Sequence, residues 1–214
     1  MAKVVTFANI KGGSGKSTLC VNIAAMLTKL KFDVCVIDAD PQKSTSDWII
    51  NTKDPLLSQV TCNEILDPEK FVELDYDFVL IDTQGSLNKE LAGFLRVSSL
   101  VLVPCRSSRD DIVGQGWIQI FLEKSQHELK KVPLLAVLNG VNKRSQILSH
   151  IKQQLSEDGV LVAKTSVSQR VCFSETNVNM VSIIGYNRVA EGELRDLTNE
   201  LLTYIQYNKE MIIG

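Results

Sequence analysis

The chain has 214 residues, 44% of them apolar, enough for one compact domain with a sizeable core spanning residues 1–214. Its formal net charge of −2 and pI near 5.8 exclude a globally basic nucleic-acid binder, so any DNA contact must be regional. Five cysteines, at 20, 35, 62, 105 and 172, form no CxxC or Cys/His ligand spacing, which argues against a metal-thiolate centre and fits a reduced, cytoplasmic protein.

In chain order, Met1–Phe7 runs straight into a glycine-rich loop, leaving no room for a signal peptide, and no apolar stretch approaches the ~20 residues of a membrane span. Apolar, β-branched runs at Val4–Ala8, Val34–Ile37, Phe78–Ile81, Leu100–Val103 and Leu134–Leu138, with a weaker one at Val160–Ala163, predict strands. They lack polar alternation, the pattern of parallel strands buried on both faces. Helical spacing lies between them. It predicts a helix opening after the first loop, with Leu19, Ile23, Met26, Leu27 and Leu30 inward, and others at Leu87–Val97, Gly114–Leu129, Ser145–Ser156 and Glu191–Gln206. Residues 52–77, with Pro55, Pro68 and the apolar Glu64-Ile65-Leu66, read as a loop with a small helix. Strand and helix in alternation imply a doubly wound α/β fold with a mostly parallel sheet, whose ligands sit at the carboxyl ends of the strands.

The segment Ile10-Lys11-Gly12-Gly13-Ser14-Gly15-Lys16-Ser17-Thr18 follows a strand and opens an amphipathic helix, the setting of a phosphate loop. Glycines let backbone N–H groups turn toward phosphate oxygens and the helix N-terminus adds partial positive charge. Lys16 suits the β/γ-phosphates and the Ser17 hydroxyl suits Mg²⁺. Two carboxylates follow in Val36-Ile37-Asp38-Ala39-Asp40-Pro41-Gln42, on one face of an extended strand end; a capping Asp before a proline turn is the bland alternative. In Phe78–Ser86, Asp82 ends an apolar strand and precedes a loop containing Gly85, whose backbone N–H is suited to sensing a γ-phosphate.

The usual GxxxxGK[ST] pattern would place glycine where Ile10 stands. With Lys11, the loop KGGxGK[ST] resembles the deviant phosphate loop of the ParA/MinD family, and DxDPQ at 38–42 matches that family nearly letter for letter. The resemblance spans nearly the whole chain. It implies a P-loop ATPase using ATP and Mg²⁺, with Lys11 reaching across a homodimer to the partner's nucleotide. Asp40 would then orient the attacking water, and Asp38 and Asp82 would support the Mg²⁺ shell. Asn139 stands where relatives place an asparagine against adenine, although a turn-forming Asn-Gly explains Asn139-Gly140 almost as well. Val103-Pro104 and the following Arg106–Asp111 take the place of the family's proline-containing loop, without its second proline.

Residues 143–188 carry six basic side chains (Lys143, Arg144, Lys152, Lys164, Arg170, Arg188) against three acidic ones, the one electrostatic footprint suited to a phosphate backbone. Lys164, Arg170 and Arg188 are the DNA-contact candidates; scattered charge on a solvated helix face competes as the explanation of each. Among the family's members, the short ParA proteins without an amino-terminal DNA-reading domain are the nearest in layout. They imply a nucleoid-associated ATP dimer that binds DNA nonspecifically, is reset by a ParB-like adaptor, and positions plasmid or chromosome cargo. A MinD-like membrane role needs a basic amphipathic tail, whereas Tyr204–Gly214 carries only Lys209 and Glu210 before Met211-Ile212-Ile213, so no stable membrane anchor is expected. A conjugative-transfer ATPase and a P-loop metabolic ligase remain alternatives; a nitrogenase iron-protein relative is disfavoured because Cys105 stands alone.

Overall fold

In the computed structural model, residues 1–63, 67–107, 132–145, 147–157 and 159–210 are described. The expected helix over 114–129, the apolar 64–66 and the tail 211–214 lie outside them.

The strands are β1 (Lys3–Phe7), β2 (Val34–Asp38), β3 (Thr61–Asn63), β4 (Phe78–Asp82), β5 (Leu100–Cys105), β6 (Leu134–Val141), β7 (Leu161–Val162) and β8 (Val167–Ser168). They form one parallel sheet in the order β3-β2-β4-β1-β5-β6-β7, with β8 also on β6. The absence of polar alternation has the meaning expected of it: every residue of β2, β4 and β5 is buried. Among the described residues the helices are α1 (Lys16–Lys29), α2 (Ser44–Ile50), α3 (Lys89–Val97), α4 (Ile147–Glu157), α5 (Val171–Val178) and α6 (Arg188–Glu210).

Successive strand residues face opposite layers. Val5, Phe7, Val36 and Leu80 pack with Leu19, Ile23 and Leu27 of α1, Trp48 of α2 and Leu194, Leu197 and Leu201 of α6. Val4, Ile37, Val79 and Ile81 pack on the other face against Phe71 and Phe94, and Val101, Val103 and Leu138 pack there against Leu95 of α3 and Ile151 of α4. The sheet is therefore wound on both sides, and β1, the central strand, feeds the glycine-rich loop at its carboxyl end.

Several expectations need correction. Leu30 is not part of the inward stripe of α1: it caps that helix and is 42% exposed. The stretch 52–77 holds an edge strand, β3, and 3-10 turns at Leu57–Gln59 and Pro68–Glu73. The short α2 and α5 were not anticipated, since seven and eight residues carry too little periodicity to register. Gly140, at φ +65°, sits at a shift in register of β6, which pairs with β7 through Leu135–Ala136 and with β8 from Asn139 onward.

Candidate nucleotide site

The loop between β1 and α1 is held by its flanks. Asn9, 1% exposed, donates its side-chain amide to the Pro104 carbonyl (2.7 Å) and accepts from the Lys11 backbone N–H (2.9 Å), tying the loop's entry to the end of β5. Gly13 and Gly15 adopt φ of +74° and +93°, a backbone region that side chains rarely visit. Asn139, at the end of β6, donates to the Ser14 carbonyl (2.8 Å), so the residue placed opposite adenine by resemblance also clamps the loop itself. Gly85 comes equally close: a Cβ there would lie 3.2 Å from the Ile10 carbonyl oxygen, which brings the loop after β4 against the phosphate loop.

Lys16, the first residue of α1, is 7% exposed, and burial pulls its ammonium pKa down while Asp82 and Asp40 oppose that shift. Asp82 is fully buried; burial pushes its carboxyl pKa up to about 6, against the pull of the Ser17 and Thr45 hydroxyls and of Lys16. Thr45 donates to its Oδ2 at 2.6 Å, whereas Oδ1 has no hydrogen-bond partner. The buried Ser14 Oγ is likewise unpartnered. Buried polar atoms ordinarily find partners, so these two mark a place for a ligand.

Asp38 has both oxygens engaged, Oδ1 by the Asp40 N–H (3.1 Å) and Oδ2 by the Ser46 N–H (2.8 Å) at the start of α2. Its carboxylate thus completes the turn into α2 as well as lying at the site, so the capping explanation and the metal explanation both describe it. Asp40, partly buried, accepts the Gln42 N–H at its Oδ1 (2.9 Å). Among the described residues no cluster of three or more His, Cys, Asp or Glu could cage a metal. A Mg²⁺ ion here would be held by the Ser17 hydroxyl, by waters on Asp38 and Asp82, and by phosphate oxygens, the donor set Mg²⁺ prefers. The residues fit the ion.

A pocket of about 580 Å³ continues from the loop, lined by Gly15, Thr18, Arg106, Asn139, Gly140 and the segment from Ser168 through α5. Its place beyond Gly15 and Thr18, away from Asp38 and Asp82, suits the nucleoside. Arg170 lines it too. Of the other two DNA candidates, Lys164 is exposed, with its backbone N–H on Glu200 (2.7 Å), and Arg188 is exposed at the start of α6. Lys143 pairs with Glu193 (2.8 Å) and Lys152 donates to the carbonyls of Ala163 and Lys164, so these two basic residues are committed within the fold.

Asn9, Thr45 and Glu193 escaped the sequence reading because none belongs to a motif. An Asn at a strand end and a Thr three residues after DPQ were the signals available. No described helix is long and apolar enough to cross a membrane.

Comparison with known proteins places these features in a family. Maintenance of carboxysome distribution protein A of Halothiobacillus neapolitanus is 28% identical over 210 residues, 94% of this chain and 97% of that one. Protein ParA of Rhizobium radiobacter is 29% identical over 178 residues, 80% of each. A crystal structure of a Borrelia burgdorferi protein assigned to plasmid partition, bound to AMPPNP, superposes with a TM-score of 0.77 at 18% identity, covering 95% of this chain and 99% of that one. Residues 5–210 match the CobQ/CobB/MinD/ParA nucleotide binding domain, and the chain belongs to that family.

Proposed function

We propose that the protein is a ParA-type ATPase that binds ATP with Mg²⁺, dimerises on it, associates nonspecifically with DNA and positions a cargo until an adaptor triggers hydrolysis. The observation that supports this most is the pair of unpartnered buried atoms, Ser14 Oγ and Asp82 Oδ1, beside the buried Lys16. They provide a polar site for a phosphate–Mg²⁺ group at the carboxyl edge of the sheet. Within it Lys16 binds the β/γ-phosphates, Asp40 orients the attacking water, and Lys11 acts on the nucleotide of the other protomer, supplying charge stabilisation as an arginine finger does. Paired basic surfaces of the dimer would bind DNA with a steeper dependence on salt than one surface alone. A nucleoid-associated cytoplasmic location follows from that activity.

The cargo is a plasmid or chromosome region, and the adaptor a ParB-like protein. A second reading, a protein compartment as cargo, draws on the carboxysome-distribution relative, which matches this chain almost end to end.

The deciding experiment measures binding to a nonspecific duplex with ATP, ADP and no nucleotide, at two salt concentrations, for the wild type, Lys11→Ala and Lys16→Ala. Salt-sensitive binding only with ATP, lost in both variants, supports the proposal. Hydrolysis of ATP without DNA binding in any state would sink the DNA-surface reading and favour a metabolic or membrane role.

A further inference from the structure

Arg170 is a DNA-contact candidate by charge and by the family resemblance of its segment, but it also lines the pocket. It precedes α5 as that helix's N-cap, its side chain is 33% exposed, and it lines the same 580 Å³ cavity as Gly15, Thr18 and Asn139. Its Nε is buried and has no hydrogen-bond partner. Among the described residues it forms an ion pair with Glu193 on α6, whose Oε1 lies 3.6 Å from the terminal nitrogen Nη2, a distance too long for a hydrogen bond.

Glu193 is already occupied. Its Oε2 accepts the Ser168 N–H (2.9 Å), and its Oε1 accepts the Ser168 hydroxyl (2.7 Å) and the Lys143 ammonium (2.8 Å). Burial works to raise its pKa, but these partners outweigh burial and lower it, so the carboxylate is charged at neutral pH. The arrangement orients a guanidinium electrostatically while leaving its donors unspent. The Arg170 side chain lines the cavity with hydrogen-bond donors to spare, and a guanidinium at the wall of a polar cavity is matched by an acceptor within it. A second guanidinium, Arg106, lines the same cavity, although the chain as a whole is acidic.

We infer that Arg170 donates to the nucleoside or α-phosphate side of the bound nucleotide, with Glu193 as the residue that positions it. This rests on the nucleotide reading above. Because the pocket's lining excludes Lys16, Asp38, Asp40 and Asp82, the contact is made equally in the ground and transition states. Its loss therefore raises KM and leaves kcat unchanged.

The test titrates fluorescent ATP and ADP analogues into the wild type, Arg170→Ala, Arg170→Lys, Glu193→Gln and the double variant, with thermal melts to establish folding. Arg170→Ala is expected to weaken both nucleotides about tenfold, the scale of one hydrogen bond from a charged group. Arg170→Lys recovers part of this, and Glu193→Gln, which keeps an acceptor for Ser168, produces a smaller loss that disappears in the Arg170→Ala background. At saturating ATP, Arg170→Ala retains DNA binding. Unchanged affinity for both nucleotides in folded Arg170→Ala would overturn the inference alone, and DNA binding lost at saturating ATP with nucleotide affinity intact would return Arg170 to the DNA surface. A wild type that binds neither nucleotide would overturn this inference and the ATPase reading together.

Discussion

The side-chain amide of Asn139 and the carbonyl of Ser14 are 2.8 Å apart across 125 residues of chain, so the end of β6 fixes the curvature of the phosphate loop. A Cβ added to the intervening Gly15 would lie 2.2 Å from that amide nitrogen, and Gly15 is held at φ +93°. Gly15→Ala should therefore break the Asn139 contact and strain the backbone by about 1–3 kcal/mol. Nucleotide titration should show binding lost.

The Asp82 carboxylate is a charge buried at a cost, since burial has moved its pKa up to about 6. Asp82→Asn keeps an acceptor for Thr45 and removes that cost. Nucleotide-free protein should melt at the same temperature or a few degrees higher, while phosphate release with ATP and Mg²⁺ falls at least about a hundredfold, the scale of losing a major electrostatic contact to the reacting groups. Calorimetry and a phosphate assay on one preparation check both halves.

Asp54 joins distant segments. Its Oδ2 accepts the Ser182 N–H (2.8 Å) and hydroxyl (2.5 Å), and its Oδ1 accepts the Leu56 and Leu57 N–H groups (2.8 and 3.3 Å). Burial opposes ionisation, but these bonds prevail and hold the pKa below the ordinary 3.8. A lowered folded-state pKa means that the charge stabilises the fold above the unfolded value, and that this contribution is lost as pH falls through the folded value. Asp54→Ala should cost about 2–4 kcal/mol at pH 7, from several buried donors left without a partner. In urea titrations, the gap between wild type and Asp54→Asn should be constant from neutral pH to about 5 and close below about 3.8.

A contrasting ion pair joins Lys29 of α1 to Glu191 of α6 at 2.6 Å, with the lysine side chain 47% exposed. Water screens it, so Lys29→Ala should cost less than about 1 kcal/mol and lose even that in high salt. A chemical-denaturation midpoint at two ionic strengths decides it.

What could be read in advance divides along physical lines. The long apolar strands, α1 and the DxDPQ turn announce themselves, because burial on both faces and phosphate binding each demand a particular residue pattern. Thr45 could not be read the same way: its hydroxyl reaches Asp82 only because α2 starts where Asp38 accepts the Ser46 N–H. Arg170 shows the limit of charge counting. Six basic residues between 143 and 188 look alike in sequence, but Glu193, arriving from α6, pairs with Lys143 and Arg170, whereas Lys164 and Arg188 stand exposed.

The central position of β1 bears on how the nascent chain matures. β1 is synthesised before its two neighbours, pairing with β4 at 78–82 and β5 at 100–105. At about 5–20 residues per second, Val4, Val5 and Phe7 wait roughly 5–20 s before both flanking strands exist. During that interval Val5 and Phe7 can pack against α1, but the strand lacks one or both of its sheet neighbours. Ribosomal pausing between codons 8 and 100 prolongs that wait, and pausing after β5 has emerged does not.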